Sequence, residues 1–201
     1  AQGANVHTYM IEGGDYGVCH YMLPEKGHIL PGSLWVGGDS HTCTYGALGA
    51  FSTGFGSTEA GNVLGTGEMW FRVPETMKIN VNGKIPRNVM AKDLFLRVVG
   101  DIGVDGALYQ ALEWTGDAIK KMSMDERMTL TNMAIEAGAK NGIIEPDDET
   151  IRYLATRPLG SNALTYARYV VLNAEKRKSF KELTSDSDAH YAVVKNVEAS
   201  R

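Results

Sequence analysis

With 201 residues, 43% of them hydrophobic and 22% charged, the chain has enough apolar material for one or two cored domains and does not read as a disordered segment. Its formal net charge of -4 and the lack of a long Lys/Arg run exclude the broad basic face that nucleic-acid binding relies on. No apolar run approaches the roughly 20 residues needed to span a bilayer, no basic-then-apolar leader pattern is seen, and Cys19 and Cys43 alone give neither a disulfide framework nor a C-x-x-C motif, so the default expectation is a cytoplasmic setting.

The sequence opens on Ala1 rather than Met, so it is expected to be part of a longer polypeptide or a processed product. His20 lies in a run flanked by apolar residues, Gly17-Val-Cys-His-Tyr-Met-Leu-Pro-Glu25. Taken alone, such a histidine is more often packed or at the surface than catalytic. Eleven of the 23 glycines fall between Gly27 and Gly67, a density that suits tight turns and close backbone approach to ligands. Within that region residues 33–36, Ser-Leu-Trp-Val, predict a short buried strand emptying into Gly37-Gly38. Asp39, Ser40 and His41 then stand at its C-terminal end, the edge where open α/β sheets bind ligands. Ser57 and Thr58 are expected to cap a helix over residues 59–71.

Past Pro74 the texture changes, and the chain is expected to divide there. Residues 78–85 alternate polar and apolar around Asn82-Gly83, a turn signal typical of hairpins. Residues 88–99 read as an amphipathic helix stopped by Gly100 or Gly103. Ser123-Met-Asp-Glu126 is a capping box opening a second helix that Gly138 ends. Asn132 and Glu136, four apart, are expected to share a face of that helix and set an amide beside a carboxylate. Alone, such a pair is normally solvated surface, although Met133, Ala134 and Ala137 make a buried side conceivable. Residues 147–155 predict a third helix closed by Pro158, residues 163–178 a basic helix-like stretch, and residues 192–197 a strand.

The strongest constellation is Gly37-Gly-Asp-Ser-His-Thr-Cys-Thr-Tyr-Gly-Ala-Leu-Gly49. Three hydrogen-bonding side chains crowd behind a strand, which costs desolvation energy unless a ligand or partner satisfies them. The plainer alternative makes Asp39 and Ser40 a turn or cap and His41 a satisfied surface histidine.

Three runs, Gly17–Glu25, the stretch 30–51 and Met69-Trp-Phe-Arg-Val-Pro-Glu-Thr76, resemble the aconitase superfamily in order and spacing, closest to the large subunits of its 3-isopropylmalate dehydratase and homoaconitase branch. Val104-Asp-Gly-Ala-Leu-Tyr109, Met124-Asp-Glu-Arg127, Asn132-Met-Ala-Ile-Glu-Ala-Gly138 and Ser185-Asp-Ser-Asp-Ala-His-Tyr191 continue the resemblance over nearly the whole chain. It implies an α/β fold, a three-layer αβα fragment of an iron-sulfur domain. In that reading residues 1–74 are the motif-bearing end of one α/β domain, 75–160 a second, and 161–201 a connection and the start of a third.

The resemblance also implies a hydro-lyase that dehydrates and rehydrates a hydroxy di- or tricarboxylate, with one iron of a [4Fe-4S] cluster as Lewis acid. A hydroxyl leaves poorly, so protonation by an imidazole helps while a separate base takes a proton from carbon. By similarity His20 pairs with Asp39 and His41 with Glu136. Ser40 lies beside the substrate, and Asn132 orients water or hydroxyl. The cluster's three cysteine ligands are not in this chain, since Cys19 and Cys43 sit at positions that are not family ligands. A cluster-bearing domain and a small, swivelling-domain subunit are the implied partners, and self-association into a homo-oligomer stays open. Alone, the polypeptide is expected neither to bind a cluster nor to turn over substrate.

Two other classes compete. Leu34-Trp-Val-Gly-Gly-Asp-Ser40 resembles the nucleophile block of GDS-type serine esterases, with Ser40 as nucleophile, but Asp186-Ser-Asp-Ala-His190 has the wrong spacing for their Asp-x-x-His. A non-catalytic assembly fragment is the third reading.

Overall fold

The computed structural model describes residues 9–13, 16–157, 178–180 and 182–200. The expected basic stretch 163–178 and Pro158 lie outside these, apart from Lys178. Two all-parallel sheets organise the described residues: β1 (Leu34–Gly37) pairs with β2 (Phe51–Gly54), and four further strands run in the order β5-β4-β3-β6. Here β3 is Thr76–Asn82, β4 Ala111–Thr115, β5 Asn141–Ile144 and β6 Val193–Glu198. They are accompanied by the helices α1 (Cys19–Glu25), α2 (Ser57–Thr66), α3 (Ala91–Ile102), α4 (Asp117–Lys120), α5 (Met124–Asn132) and α6 (Asp148–Ala155). Parallel strands need crossovers, and helices supply them between β3, β4 and β5, as an α/β fold requires. No described helix is long and apolar enough to cross a membrane.

The alternation in β3 works as a half-buried strand. Met77, Ile79 and Val81 enter the main core with Leu112, Trp114, Phe95 and Leu130, while Lys78 and Asn80 face the other way. The Asn82-Gly83 signal, however, does not make a hairpin. Gly83 takes φ +93°, its N–H donates to Asp117 Oδ1 at 2.9 Å, and the chain leaves for α3. A type I′ turn needs an antiparallel partner directly downstream, and β3 instead finds parallel partners on both sides. The strand expected at 192–197 forms as β6, but it pairs with β3 from Met77↔Val193 to Asn82↔Glu198. It therefore forms the edge of this sheet beside β3.

Three other expectations shift. β1 forms but is not buried: Leu34 is 71% exposed, because among the described residues only β2 flanks it. α2 starts at Ser57 behind a Gly56 N-cap, so Ser57 and Thr58 are helical rather than capping, and Gly67 at φ +73° ends it well before residue 71. α3 begins at Ala91, later than predicted, and Gly103 is its stop.

The capping box opening α5 is present: Ser123 N–H donates to Glu126 Oε2 at 2.8 Å and Glu126 N–H to Ser123 Oγ at 3.4 Å. This helix carries no single apolar stripe because it is packed around most of its circumference. Leu130 joins the main core, while Met124 and Met128 join a second cluster with Ile29, Tyr45, Leu48 and Leu154. Arg127 is fully buried between them. Its guanidinium grips Asp147 through two bonds of 2.8 and 2.7 Å and donates to the carbonyls of Met122 and Lys120, tying α5 to the N-terminus of α6.

The late Ser185–Tyr191 motif has a structural destination. Glu113, buried on β4, accepts from Ser185 Oγ at 2.7 Å and Tyr191 OH at 3.1 Å, with Lys78 Nζ 3.4 Å away. A buried carboxylate must be paired, and here the pairing fastens the segment leading into β6 to the sheet.

Candidate active site

The loop leaving β1 becomes a nine-residue 3₁₀ stretch, Ser40–Leu48, long for a geometry normally used in short pieces. Its sequence explains the tight winding. Thr42 Oγ1 donates to the Asp39 carbonyl at 2.7 Å, Cys43 Sγ to the Ser40 carbonyl at 3.7 Å and Thr44 Oγ1 to the His41 carbonyl at 2.6 Å, each reinforcing an i−3 bond pattern. Thr42 through Leu48 are buried. Gly46 is required at its position, since a Cβ there would overlap the Gly142 carbonyl oxygen of β5. Thr131 Oγ1 of α5 donates to the Thr44 carbonyl at 2.8 Å. The stretch is thus wedged between α5 and β5, and only its first residues reach the surface.

Asp39 caps this stretch, its Oδ1 accepting the His41 N–H at 2.8 Å. The same oxygen lies 2.8 Å from His20 Nε2 on α1. The capping bond from the His41 N–H, helped by the bond and charge of His20, outweighs the opposing effect of burial and holds the Asp39 carboxyl below its ordinary value. His20 is nearly covered, its side chain 11% exposed, whereas His41 is 35% exposed. The two rings lie 6.1 Å apart, and His41 Nδ1 is 3.2 Å from Ser40 Oγ and 3.6 Å from Asp39 Oδ1. On its other side His41 Nε2 is 3.4 Å from Glu136 Oε1. That distance is long for a hydrogen bond.

His20, Asp39, Ser40, His41 and Glu136, spread over more than a hundred residues, thus form one continuous run of polar contacts. Asn132 joins differently. The helix tightens to 3₁₀ over Met133–Ala137 before Gly138 ends it at φ +78°. Asn132 and Glu136 both reach the Ser40–Leu48 stretch, but the tighter winding sends them to different residues of it. Asn132 Nδ2 therefore donates to Thr44 Oγ1 at 2.8 Å, one turn further along the same 3₁₀ stretch that Glu136 reaches at His41. Its amide nitrogen is engaged inside the protein.

Sequence reasoning passed over Thr44 and Tyr45. Tyr45 stacks edge-on to Trp35, sits beside the His20 ring and donates its hydroxyl to the Cys19 carbonyl at 3.2 Å, so burial pushes its phenol up. The run of hydroxyl and small residues in Thr42–Gly46 was the available signal.

The cysteines do not fit an iron-sulfur cluster. Among the described residues no three His, Cys, Asp or Glu side chains are grouped to hold a metal. Cys43 is buried with Sγ donating to the Asn132 carbonyl at 3.3 Å, and burial pushes its thiol up to about 12, while Cys19 is exposed. Thiolates are the ligands a cluster needs. Alkylation of the native chain with iodoacetamide at pH 8 should accordingly modify Cys19 alone, and both cysteines once urea unfolds it. Equal labelling of Cys43 in the native state, read by mass spectrometry, would contradict this packing.

Residues 1–201 match the model of the aconitase family (aconitate hydratase). The 3-isopropylmalate dehydratase large subunit of Heliobacterium modesticaldum is 52% identical over 190 residues, 93% of this chain and 40% of that protein. The large subunit 1 of the same name from Pyrococcus furiosus is 49% identical over 193 residues, 96% of this chain and 41% of the relative. A probable 3-isopropylmalate dehydratase large subunit from Methanosarcina mazei is 58% identical over 141 residues, 70% of this chain and 34% of its own length. The chain spans about two fifths of the first two relatives' length. With a family match over its full length, this chain belongs to the aconitase family.

Proposed function

We propose that this chain carries the imidazole–carboxylate half of a hydro-lyase site that acts on 3-isopropylmalate, homoaconitate or a related hydroxy di- or tricarboxylate. The observation that supports it is the run of contacts from His20 through Asp39 and His41 to Glu136. Dehydration needs a proton delivered to a departing hydroxyl, and hydration needs the reverse. An imidazole flanked by carboxylates does both, because the carboxylate fixes the tautomer and stabilises the imidazolium. His41, the more exposed ring, faces the reacting hydroxyl and Glu136 supports its charged form. His20, held by Asp39 and nearly covered, positions Asp39 and, through it, the start of the 3₁₀ stretch. Ser40 donates to the substrate, and Asn132 holds Thr44 so that His41 keeps its place. In this reading the [4Fe-4S] cluster implied by the family, the base that takes the carbon-bound proton and a small subunit belong to other parts of the complete enzyme, and no step on these residues runs through the cluster.

The test is a hybrid large subunit in which these 201 residues replace the matching segment of the Heliobacterium modesticaldum relative, assembled with that enzyme's small subunit. Dehydration of 3-isopropylmalate, followed by ultraviolet absorbance of the unsaturated acid, should be restored. A folded, cluster-loaded hybrid inert toward 3-isopropylmalate and homoaconitate would overturn the reading. The contact of Ser40 Oγ with His41 Nδ1 also resembles an esterase's serine and base. Fluorophosphonate should nevertheless leave Ser40 unmodified, because the hydro-lyase reading gives it the role of a substrate-binding hydroxyl rather than a nucleophile.

A further inference from the structure

Beside Ser40 opens a cleft of about 210 Å³ that the arrangement above does not use. It is lined by Ser40, by Thr53, Gly54 and Phe55 at the end of β2, and by Ile135, Ala139 and Lys140. Gly54 lets the end of β2 lie against the Asp39–Ser40 turn, where a Cβ would strike the Asp39 carbonyl. The cleft therefore shares its wall with the candidate active site. Its single cationic lining residue is Lys140, which among the described residues has no carboxylate within ion-pair distance.

Lys140 is held from below. Its Nζ stands 5.1 Å from the centroid of the Tyr109 ring, and the guanidinium of Arg72 lies 5.7 Å from the same centroid. Two cations on one ring repel each other, and neither has a carboxylate to offset it among the described residues, so this corner favours an anion. Tyr109 is also the one described non-glycine residue with positive φ, at 57°. The strained backbone is clamped to the turn that carries Glu136: Ala107 N–H donates to the Ala137 carbonyl at 3.0 Å, Tyr109 N–H to the Gly138 carbonyl at 2.9 Å and Lys140 N–H to the Gln110 carbonyl at 2.8 Å. The ring is thereby fixed relative to both Lys140 and Glu136.

We propose that Lys140, seated on the Tyr109 ring, binds one carboxylate of the substrate in the cleft beside Ser40. The inference rests on the hydro-lyase reading and adds a carboxylate-binding residue to it. Ser40 Oγ donates to the same carboxylate, which places the substrate's hydroxyl-bearing carbon toward His41. Tyr109 is a positioning residue that keeps the ammonium at the cleft.

Two experiments test it separately from the parent reading. In the 201-residue chain, acetylation of each lysine by acetic anhydride is followed by mass spectrometry with and without saturating malate, a simple hydroxy dicarboxylate. Lys140 should be slowed at least about fivefold, with Lys92, exposed on α3, as the unchanged reference. No slowing, or equal slowing by sulfate or by malamide at matched ionic strength, overturns the carboxylate site. In the hybrid enzyme, Lys140→Met should raise KM about tenfold with kcat within about threefold, and Lys140→Arg should recover most of the loss. An active hybrid whose KM ignores Lys140→Met refutes this inference and leaves the hydro-lyase reading standing. An inert hybrid in which malate still protects Lys140 does the reverse.

Discussion

Replacing Arg127 by Met is expected to lower the stability of the chain by about 3 kcal/mol, the low end of what breaking a buried ion pair costs. The low end applies because Asp147, left without its partner, keeps about a third of its side chain in water. Losing the guanidinium also strips donors from the carbonyls of Met122 and Lys120. Domains hold only about 5–15 kcal/mol in total, so urea unfolding should show a midpoint displaced far to lower denaturant with an unchanged slope. Arg127→Lys should recover only part of the loss, because an ammonium cannot make the two-pronged contact. The pH dependence has a definite sign. Burial works to raise the Asp147 carboxyl, but hydrogen bonds and charge from Arg127 outweigh it and hold the folded value below the ordinary one. The pair's contribution is therefore complete above the unfolded value near about 3.9 and fades as pH falls through the folded value. The gap between wild type and Arg127→Met should narrow below pH 4. A midpoint within the error of wild type at pH 7 would show that this buried pair does not hold α5 to α6.

His41→Asn in the hybrid enzyme is expected to lower kcat by about 10² to 10⁴, the range a positioned proton-transfer group commands. Asparagine keeps a polar side chain at the loop but cannot cycle a proton. Glu136→Gln should slow turnover as well, and if that carboxylate acts through the imidazole, as proposed, the two losses should not multiply. The double variant should fall no more than about threefold below His41→Asn alone. Fully multiplicative losses would mean that Glu136 works on the substrate independently, and the 3.4 Å contact would then have no mechanistic weight.

Much of this site was legible in the residues. The Asp39-Ser40-His41 triplet after a strand, the capping box at Ser123 and the stop at Gly138 are local signals, and local signals survive into the fold. The juxtaposition of Glu136 with His41 was legible only through resemblance, since nothing in a helix of period 3.6 announces its neighbour. What escaped was set by side-chain bonds and partners that periodicity does not show. The 3₁₀ winding of residues 40–48 depends on threonine bonds to carbonyls three residues back, which hydrophobic periodicity does not register. The burial of Arg127 depends on an aspartate twenty positions on. The exposure of Leu34 reflects how few neighbours β1 has, and the Asn82-Gly83 signal was overruled because parallel partners already occupied both edges of β3. Tyr109 ends one of the runs that carry the resemblance, but its positive φ and its place against the Glu136 turn are not announced by residue type.

The pairing of β3 with β6 bears on how the molecule is made. Met77 meets Val193 across more than a hundred intervening residues, so on the ribosome one border of the central strand emerges long before the segment that will cover it. Until then its row of amide and carbonyl groups is open to any extended peptide nearby, the circumstance that favours aggregation during synthesis. Chaperone demand in the cell should therefore track the interval before Val193–Glu198 leaves the exit tunnel, and slowing translation between residues 82 and 193 should lower soluble yield without altering the final fold.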